Sequence, residues 1–443
     1  MAGKKKQAQL TPEEKLQQAL VPEAEQPYKV PANWCWTYVK YVSEVVTGGT
    51  PSKKHTEYYS GNFPFFKPAD LDAERYVYDA SEYLSEEGKK VSRIIPKYST
   101  AVCCIGSIGK SGYLEVEGTT NQQINSAIPK FNSLYLYYFI KSEYFIEQLW
   151  RKASATTISI VNKSKMEDCV FPLPPLTEQQ RIVERIESLF AKLDEAKENM
   201  QNVLEGFETR KAAILHKAFT GELTTKWRKQ HGVSMDTWEE KKLGKIVKNI
   251  KDKYEPTLNN KKCVKYIGLE HIEKNNGIIG FGSSDDVKSL KTIFELGDIL
   301  YGKLRPYLNK HDIAKFSGIC STDILVYRAE DFNTAKFINY FMNTEKFIFY
   351  TVSNSKGINL PRISEKEVSG ILVNVPTLSE QSEIVRIIDD LLAKEQQAKE
   401  LAENAITKID IIKKSILARA FRGELGTNNP ADESAVELLR RVL

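Results

Sequence analysis

Three groups of residues carry side chains that could do chemistry. Gly106-Ser107-Ile108-Gly109-Lys110-Ser111 follows an apolar run and resembles a phosphate-binding loop. Such a loop needs G-x-x-x-x-G-K-[ST], so that successive backbone N–H groups wrap the phosphates and the lysine reaches the outer one. Its leading glycine belongs five positions before Gly109, where Cys104 stands. The shortened turn cannot encircle a triphosphate, so a self-contained NTPase or nuclease would rest on Gly109-Lys110-Ser111 alone. Asn62-Phe63-Pro64-Phe65 approaches the N-P-P-[FY] motif of methyl-transfer enzymes but lacks the second proline. No glycine-rich cofactor loop opens a parallel α/β pattern, and no nucleophile–base or paired-carboxylate constellation stands out. The sequence therefore predicts no catalytic centre.

The third group is polar and basic. In the first half it comprises Gly48-Gly49-Thr50-Pro51-Ser52-Lys53-Lys54-His55, Lys67, Ser107, Lys110 and Asn121-Gln122-Gln123. In the second half it comprises Lys251, Lys253, Lys261, Lys262, Lys303, Arg305, Lys310 and His311. Lysine and arginine neutralise phosphates, while Arg, Asn and Gln can also read purine edges in the major groove. Singly, each is more often a solvated surface group. Their recurrence in both halves is what points to nucleic acid, with Thr50, Ser52, Lys53, Lys54, Lys67, Ser107, Lys110, Gln122, Lys303, Arg305 and Lys310 as candidate contacts.

Six cysteines (Cys35, Cys103, Cys104, Cys169, Cys263 and Cys320) and five histidines show no metal-ligand spacing. Scattered free thiols fit a reducing cytoplasm. The longest apolar stretch, Leu134 to Ile140, is far short of the roughly 20 residues of a membrane helix. The start, with Lys4, Lys5 and Lys6 and no apolar core behind them, does not read as a secretory signal. With 443 residues, 41% hydrophobic and 27% charged, the chain is a globular protein of more than one domain. A net charge of +5 and a pI near 8.6 permit a polyanionic partner without requiring one.

What must position these loops is a duplicated frame. Pro174-Pro175-Leu176-Thr177-Glu178-Gln179 recurs as Pro376-Thr377-Leu378-Ser379-Glu380-Gln381, 202 positions later (376 − 174). The match runs without a gap to Ala218-Phe219-Thr220-Gly221-Glu222-Leu223 against Ala420-Phe421-Arg422-Gly423-Glu424-Leu425, with roughly 22 of about 50 positions identical. At the same offset Trp36 faces Trp238, and Tyr138-Phe139 with Glu143 faces Tyr340-Phe341 with Glu345. Between these markers the halves diverge almost completely. The chain is two copies of one unit, each a variable globular part followed by a shared helical part.

The shared parts read as long helices. Thr177 and Ser379 are suited to N-caps, Gln180 completes a capping box with Thr177, and Glu178 and Glu380 place negative charge at the helix N-terminus. Apolar residues then follow a seven-residue period for about five heptads. The seam is Ile186, Leu189, Leu193, Ala196, Met200, Val203, Phe207 and Ile214 in the first copy. In the second it is Ile388, Leu391, Ala398, Ala402, Ala405, Ile409, Ile412 and Ile416. Arg210 and Glu395 interrupt it and can fix register, and Gly221 and Gly423 end the helices. Packed antiparallel, about 40 residues make a rod of roughly 60 Å, or about 18 base pairs of DNA.

Residues 34–170 and 238–370 read as mixed α/β. Ala101-Val102-Cys103-Cys104-Ile105 and Asp298-Ile299-Leu300-Tyr301 are buried strands, while Leu134 to Leu149 and Phe337 to Thr351 are helical with aromatic core faces.

With both P-x-L-[ST]-E-Q helix starts, both A-F-x-G-E-L ends, the Gly48-Gly49-Thr50-Pro51-Ser52 loop and the closing Asn429-Pro430-Ala431-Asp432-Glu433-Ser434, the chain resembles the specificity (S) subunits of type I restriction-modification systems. The second half departs from the pattern in having no G-G-T-P loop after Trp238. The resemblance implies an α+β architecture: two α/β target-recognition domains separated by two long antiparallel coiled-coil helices, as an internal pseudo-two-fold repeat. On that reading residues 1–33 are an N-terminal helical extension and 34–176 and 224–376 the recognition domains. Residues 177–223 and 377–425 are then spacers, and 426–443 a tail helix that meets the segment Thr11 to Leu20, itself opened by a Thr11-Pro12-Glu13-Glu14 capping box.

By the same resemblance each domain reads half of a split, asymmetric DNA site. Two methyltransferase subunits, bringing S-adenosylmethionine, dock on the helices, and restriction/translocase subunits bring ATP and Mg. The chain itself is then non-catalytic, cofactor-free and cytoplasmic. The alternatives are a coiled-coil scaffold, or a stand-alone DNA-binding protein without a modification partner.

Overall fold

A computed structural model of the protein describes residues 10–72, 76–154, 158–256 and 264–443. Lys4 to Lys6, Lys261, Lys262 and Cys263 lie outside the described residues. The chain divides into two compact units, residues 1–199 with 405–443, and residues 200–404.

The first unit is built on a five-stranded sheet. Its order is Ser43–Thr47, Ile124–Pro129, Thr100–Cys103, Ser111–Leu114 and Tyr76–Val77, antiparallel except for the last, parallel pairing. A smaller sheet pairs Tyr83–Leu84, Tyr59–Phe66 and Thr119–Thr120. Two short helices, Ser133–Lys141 and Glu143–Lys152, cover the larger sheet. One helix over Leu134 to Leu149 was the expectation; instead Ser142, extended at φ −69° and ψ 146°, breaks the run and caps the second piece through its hydroxyl. Tyr135, Tyr137, Tyr138, Phe139 and Phe145 are buried in the core between helices and sheet.

The second unit repeats the scheme. Its main sheet runs Lys248–Ile250, Ile324–Arg328, Ile299–Gly302 and His311–Ile313, all antiparallel, in the same order of equivalent strands. The accompanying sheet is larger, with five strands. The expected helix over Phe337 to Thr351 is again a pair, Phe332–Phe341 and Glu345–Ser353, with Asp331 and Thr344 as caps. Phe337, Phe341 and Phe347 are buried.

In each unit a two-stranded ribbon ties the start of the globular part to its end: Cys35–Tyr38 with Val170–Leu173, and Glu239–Lys242 with Leu372–Val375. This ribbon corrects the tryptophan alignment. Cys35 pairs with Leu173 and Glu239 with Val375, so Trp34, not Trp36, is the counterpart of Trp238. The first copy holds two more residues between this tryptophan and the Tyr138/Tyr340 marker, which constant-offset matching cannot see.

The long helices span Leu176–Glu205, Phe207–Phe219 and, unbroken, Leu378–Ala420. They begin earlier than expected. Gln179 N already donates to Pro175 O, so Thr177 lies inside the first helix, and Gln180 donates to Glu184 instead of closing a capping box. In the second copy Thr377, not Ser379, accepts from Glu380 N at 3.4 Å. The proline or threonine two positions before the expected cap already has its carbonyl in the first turn. Gly221 and Gly423, at φ +80° and +73°, terminate the helices in the left-handed conformation that glycine adopts freely.

Within each unit the helix segments run antiparallel. In the first, Lys197 pairs with Asp410 at 3.2 Å and Asp194 with Lys413, so rising numbers meet falling ones. In the second, Arg210 Nε donates to Glu395 at 2.8 Å while its Nη2 reaches back to Val203 O at 2.9 Å, across the break at Gly206. Of the seam residues, Ile186, Ile388, Ala402 and Ile409 are buried, and Leu189, Leu193, Met200, Val203, Phe207, Leu391 and Ile416 are half-buried. Ile412 is a correction, being 44% exposed. Its place is taken by Lys413, whose ammonium lies over the Phe190 ring at 5.1 Å, because an α-helix drifts from a strict seven-residue repeat.

The chain's two end segments meet inside the first unit. Thr11 forms its capping box with Glu14, Lys15 Nζ donates to Leu443 O at 2.9 Å, and Arg440 lies 3.5 Å from Glu13.

Candidate nucleic-acid interface

The repeated helix-start motif is structural. Glu178 and Glu380 are fully buried. Glu178 accepts from Trp34 Nε1 at 2.7 Å and from Asn428 Nδ2 at 2.8 Å. Glu380 accepts from Trp238 Nε1 at 3.0 Å, and from Thr224 Oγ1 and Arg228 Nη1, each at 2.6 Å. Gln179 and Gln381 donate to the carbonyls of Pro174 and Pro376 at 3.0 and 2.9 Å, pinning the bend before each helix. About two turns on, the Tyr138 hydroxyl donates to Glu187 and the Tyr340 hydroxyl to Asp389, again 202 positions apart. These bonds hold each sheet rigidly on its helix and leave the far end of the sheet to the variable loops.

In the first unit that end gathers most of the candidates. Gly48 N donates to Ile124 O and Gly49 N to Thr120 O, so the glycine loop lies against residues 119–124. A Cβ on Gly48 would stand 2.3 Å from the Thr120 and Asn121 carbonyls, so this approach requires glycine. The Thr50 hydroxyl then reaches Gln122 Oε1, and Cys104 N donates to Gln123 O. The stretch that resembles a phosphate loop is the turn of an antiparallel hairpin, because Val102 pairs with Ser111. No helix N-terminus follows it to receive a phosphate. Thr50, Ser52, Lys53, Lys54, Ser107 and Gln122 are exposed, and Lys110 is half-buried beside Ser107. Lys67 stands apart in character, ion-paired with Glu82 and lying over the Phe65 ring at 5.8 Å. Asn62 to Phe65 form part of a strand that buries Phe63 and Phe65, which accounts for the aromatics of that near-motif.

In the second unit the equivalent hairpin turn carries Lys303, Arg305 and Lys310. Arg305 is exposed and adopts φ +52°, a left-handed conformation that a non-glycine residue holds only when its surroundings impose it. Its N–H donates to Pro361 O at 2.7 Å. Lys303 is half-buried, and burial first, with Arg362 and Lys253 nearby, lowers its pKa against the pull of Asp323. Lys310 Nζ is turned inward to Leu269 O at 2.7 Å. His311 is buried against Asn339 Oδ1 at 2.8 Å and does not face solvent; its place on a strand facing the Phe332–Phe341 helix puts it in the core.

Sequence reasoning missed a partner loop that sits beside this turn in both units. Residues 154 and 160 form a bridge, as do 356 and 362, and each loop also bridges to its hairpin turn at Ile105 or Leu304. Lys356 and Arg362 extend the basic surface, with Arg362 held to Asp323 at 2.8 Å. The signal available was a pair of isoleucine and leucine residues inside an otherwise polar stretch, Lys356-Gly357-Ile358-Asn359-Leu360-Pro361-Arg362.

Cys35, Cys103, Cys104, Cys169 and Cys320 are buried and unbridged. Burial pushes the thiols of Cys35, Cys104, Cys169 and Cys320 up to about 12, so they stay protonated and inert. Among the described residues no helix is long and apolar enough to cross a membrane.

The arrangement, a conserved frame presenting divergent polar loops twice over, has a counterpart among known proteins. The model of the type I restriction modification DNA specificity domain matches twice, over residues 31–205 and 235–406. The chain belongs to the type I restriction-modification DNA specificity family. The type I restriction enzyme EcoDI specificity subunit of Escherichia coli is 30% identical over 339 residues, covering 70% of this chain and 75% of the relative. The StySPI specificity subunit of Salmonella potsdam is 26% identical over 427 residues and 90% of each chain. The HsdS subunit of Thermoanaerobacter tengcongensis shares the fold at a TM-score of 0.63 and 16% identity, over 90% of this chain and all of that one. Each match to the specificity-domain model takes in one globular part and the first portion of the helical part that follows it, so the family unit follows the internal repeat. The chain is a DNA-recognition component of a restriction-modification system.

Proposed function

We propose that each specificity domain reads one half of a bipartite, asymmetric DNA site, and that the paired helices set the gap between the halves and dock two methyltransferase subunits. The observation that carries this reading is the contrast within the repeat. The Trp–Glu clasp, the helix seam and the sheet order recur, while the loops at the free sheet ends differ in length and composition. A split site calls for two unlike readers on a common mount, and base edges are read by loop side chains of this kind.

The chain is non-catalytic in this proposal. S-adenosylmethionine, ATP and Mg act in the methyltransferase and restriction/translocase subunits, and the assembly works in the cytoplasm. The candidate contacts supply phosphate neutralisation and base reading, shared with the partner subunits, which suits a net charge of only +5.

The test is an exchange of residues 34–170 for the matching segment of a relative with another specificity, followed by sequencing of the methylated motif. One half of the motif is expected to change and the other to persist. A change in both halves contradicts modular reading.

A further inference from the structure

We infer that the loop of residues 355–362 is an apolar probe that enters the DNA groove and touches the bases themselves, with Ile358 and Leu360 at its tip and Lys356 and Arg362 on its shoulders. The inference rests on the reading of the second domain as a DNA reader and names the element that does the reading.

Ile358 is 100% exposed and Leu360 54%. Single exposed apolar residues are ordinary, so exposure by itself says nothing. Recurrence says more. Counting back 202 positions from Leu360 gives Ile158, which is 56% exposed in a loop closed by the bridge Ser154–Ile160, the counterpart of Lys356–Arg362. Two domains whose variable segments share almost nothing else both hold a branched apolar side chain in solvent at this position.

The base of the loop is also tied down. Lys356 and Arg362 exchange both backbone hydrogen bonds, at 2.9 and 2.8 Å. Arg305 N donates to Pro361 O and Ile363 N to Lys303 O, so the outgoing limb of the loop is fixed to the hairpin turn. A loop whose base is already pinned has less conformational entropy to lose when it docks.

The charge around it selects the partner. Lys303 and Arg362 lie together at the base of the loop, with Asp323 as the acid bound to Arg362, and the exposed Arg305 and Lys356 stand on the backbone segments bonded to it. Cations flanking an apolar tip match a groove, whose phosphate walls are anionic and whose floor offers thymine methyls and base-step faces.

The experiment uses the chain assembled with its modification subunits and compares three duplexes: the methylated motif, the motif altered only in the half read by the second domain, and an unrelated sequence. Ile358→Ser and Leu360→Ser are expected to weaken binding to the motif about tenfold. Binding to the unrelated duplex and the salt dependence should stay unchanged. Lys356→Ala is expected to weaken all three duplexes alike and to lower the slope of log affinity against log salt by about one. If both serine variants bind the motif as the wild type does, while the wild type still discriminates the altered half, the probe is overturned and the domain's role stands. If the wild type does not discriminate that half, the reading of the domain itself fails. If the serine variants shed the modification subunits, the loop is a protein contact and the inference is overturned.

Discussion

The indole of Trp34 donates a 2.7 Å hydrogen bond to Glu178, 144 residues further along the chain, and both side chains are buried. The same bond joins Trp238 to Glu380 at 3.0 Å. Each carboxylate sits in the first turn of a long helix and also collects donors from the segment beyond a helix C-terminus: Thr427 and Asn428 in the first unit, Thr224 and Arg228 in the second. One buried acid thereby ties the start of a globular part, its outgoing helix and a returning tail.

The two clasps differ in charge, and their variants should differ with them. Glu380→Ala leaves the Arg228 guanidinium buried and unpaired, which is expected to cost about 3–5 kcal/mol. Trp34→Phe removes one hydrogen bond to a charged acceptor, at about 1.5–3 kcal/mol. Denaturant titrations following each unit's tryptophans measure both. A larger loss for Trp34→Phe than for Glu380→Ala would contradict the pairing described.

Ile409 and Ile412 are neighbours in a heptad reading, yet one is buried at 6% exposure and the other is 44% exposed. Ile409→Ala is expected to destabilise the isolated chain by about 2–4 kcal/mol, and Ile412→Ser to stay within about 0.5 kcal/mol. Thermal melts of the two variants separate the observed stripe from a strict seven-residue seam.

A Cβ on Gly206 would meet Arg210 Nη1 at 2.3 Å. Gly206→Ala therefore displaces the guanidinium from Val203 O, and what the helix gains in propensity it loses in that contact. In an Arg210→Ala background the obstacle is gone, and the same substitution is expected to stabilise by about 0.5–1 kcal/mol. A double-mutant cycle measured by denaturation reads this coupling.

Burial holds the His311 imidazole below its ordinary pKa, against the opposing pull of Asn339 and Asp312. The folded state thus binds this proton less readily than the unfolded one. Stability is full above about pH 6.5 and is lost as pH falls toward the lowered value. Melting temperatures of His311→Gln and wild type, compared across that range, should diverge at neutral pH and converge on acidification. A wild-type curve that rises as pH falls would contradict it.

Much of this was readable beforehand, for identifiable reasons. Glu178 and Gln179 each do one geometric task, so the duplicated motif survives in sequence and reveals the duplicated frame. The aromatic helices were visible because Tyr138, Phe139, Phe337 and Phe341 fill the core on a helical period. Boundaries were not: a capping residue is chosen by backbone geometry, and Pro175 serves without any side-chain donor or acceptor. Trp34 was missed because an insertion of two residues shifts the alignment while leaving a second tryptophan, Trp36, at the matching offset. The loop of residues 355–362 was missed because only polar residues were considered as DNA contacts, and nothing in the sequence marks Ile358 and Leu360 as exposed. Lys67 and Lys310 looked available in sequence, but Glu82 and the Leu269 carbonyl engage them.

The central claim is that two unlike domains on repeated mounts recognise a divided word in DNA. Long-read detection of methylated bases in a cell carrying this chain with its modification subunits tests it most directly. The expected motif has two short, unrelated, specified halves separated by a fixed run of unspecified bases, with methylation in both. A single contiguous motif, or no modification that depends on this chain, would contradict the account.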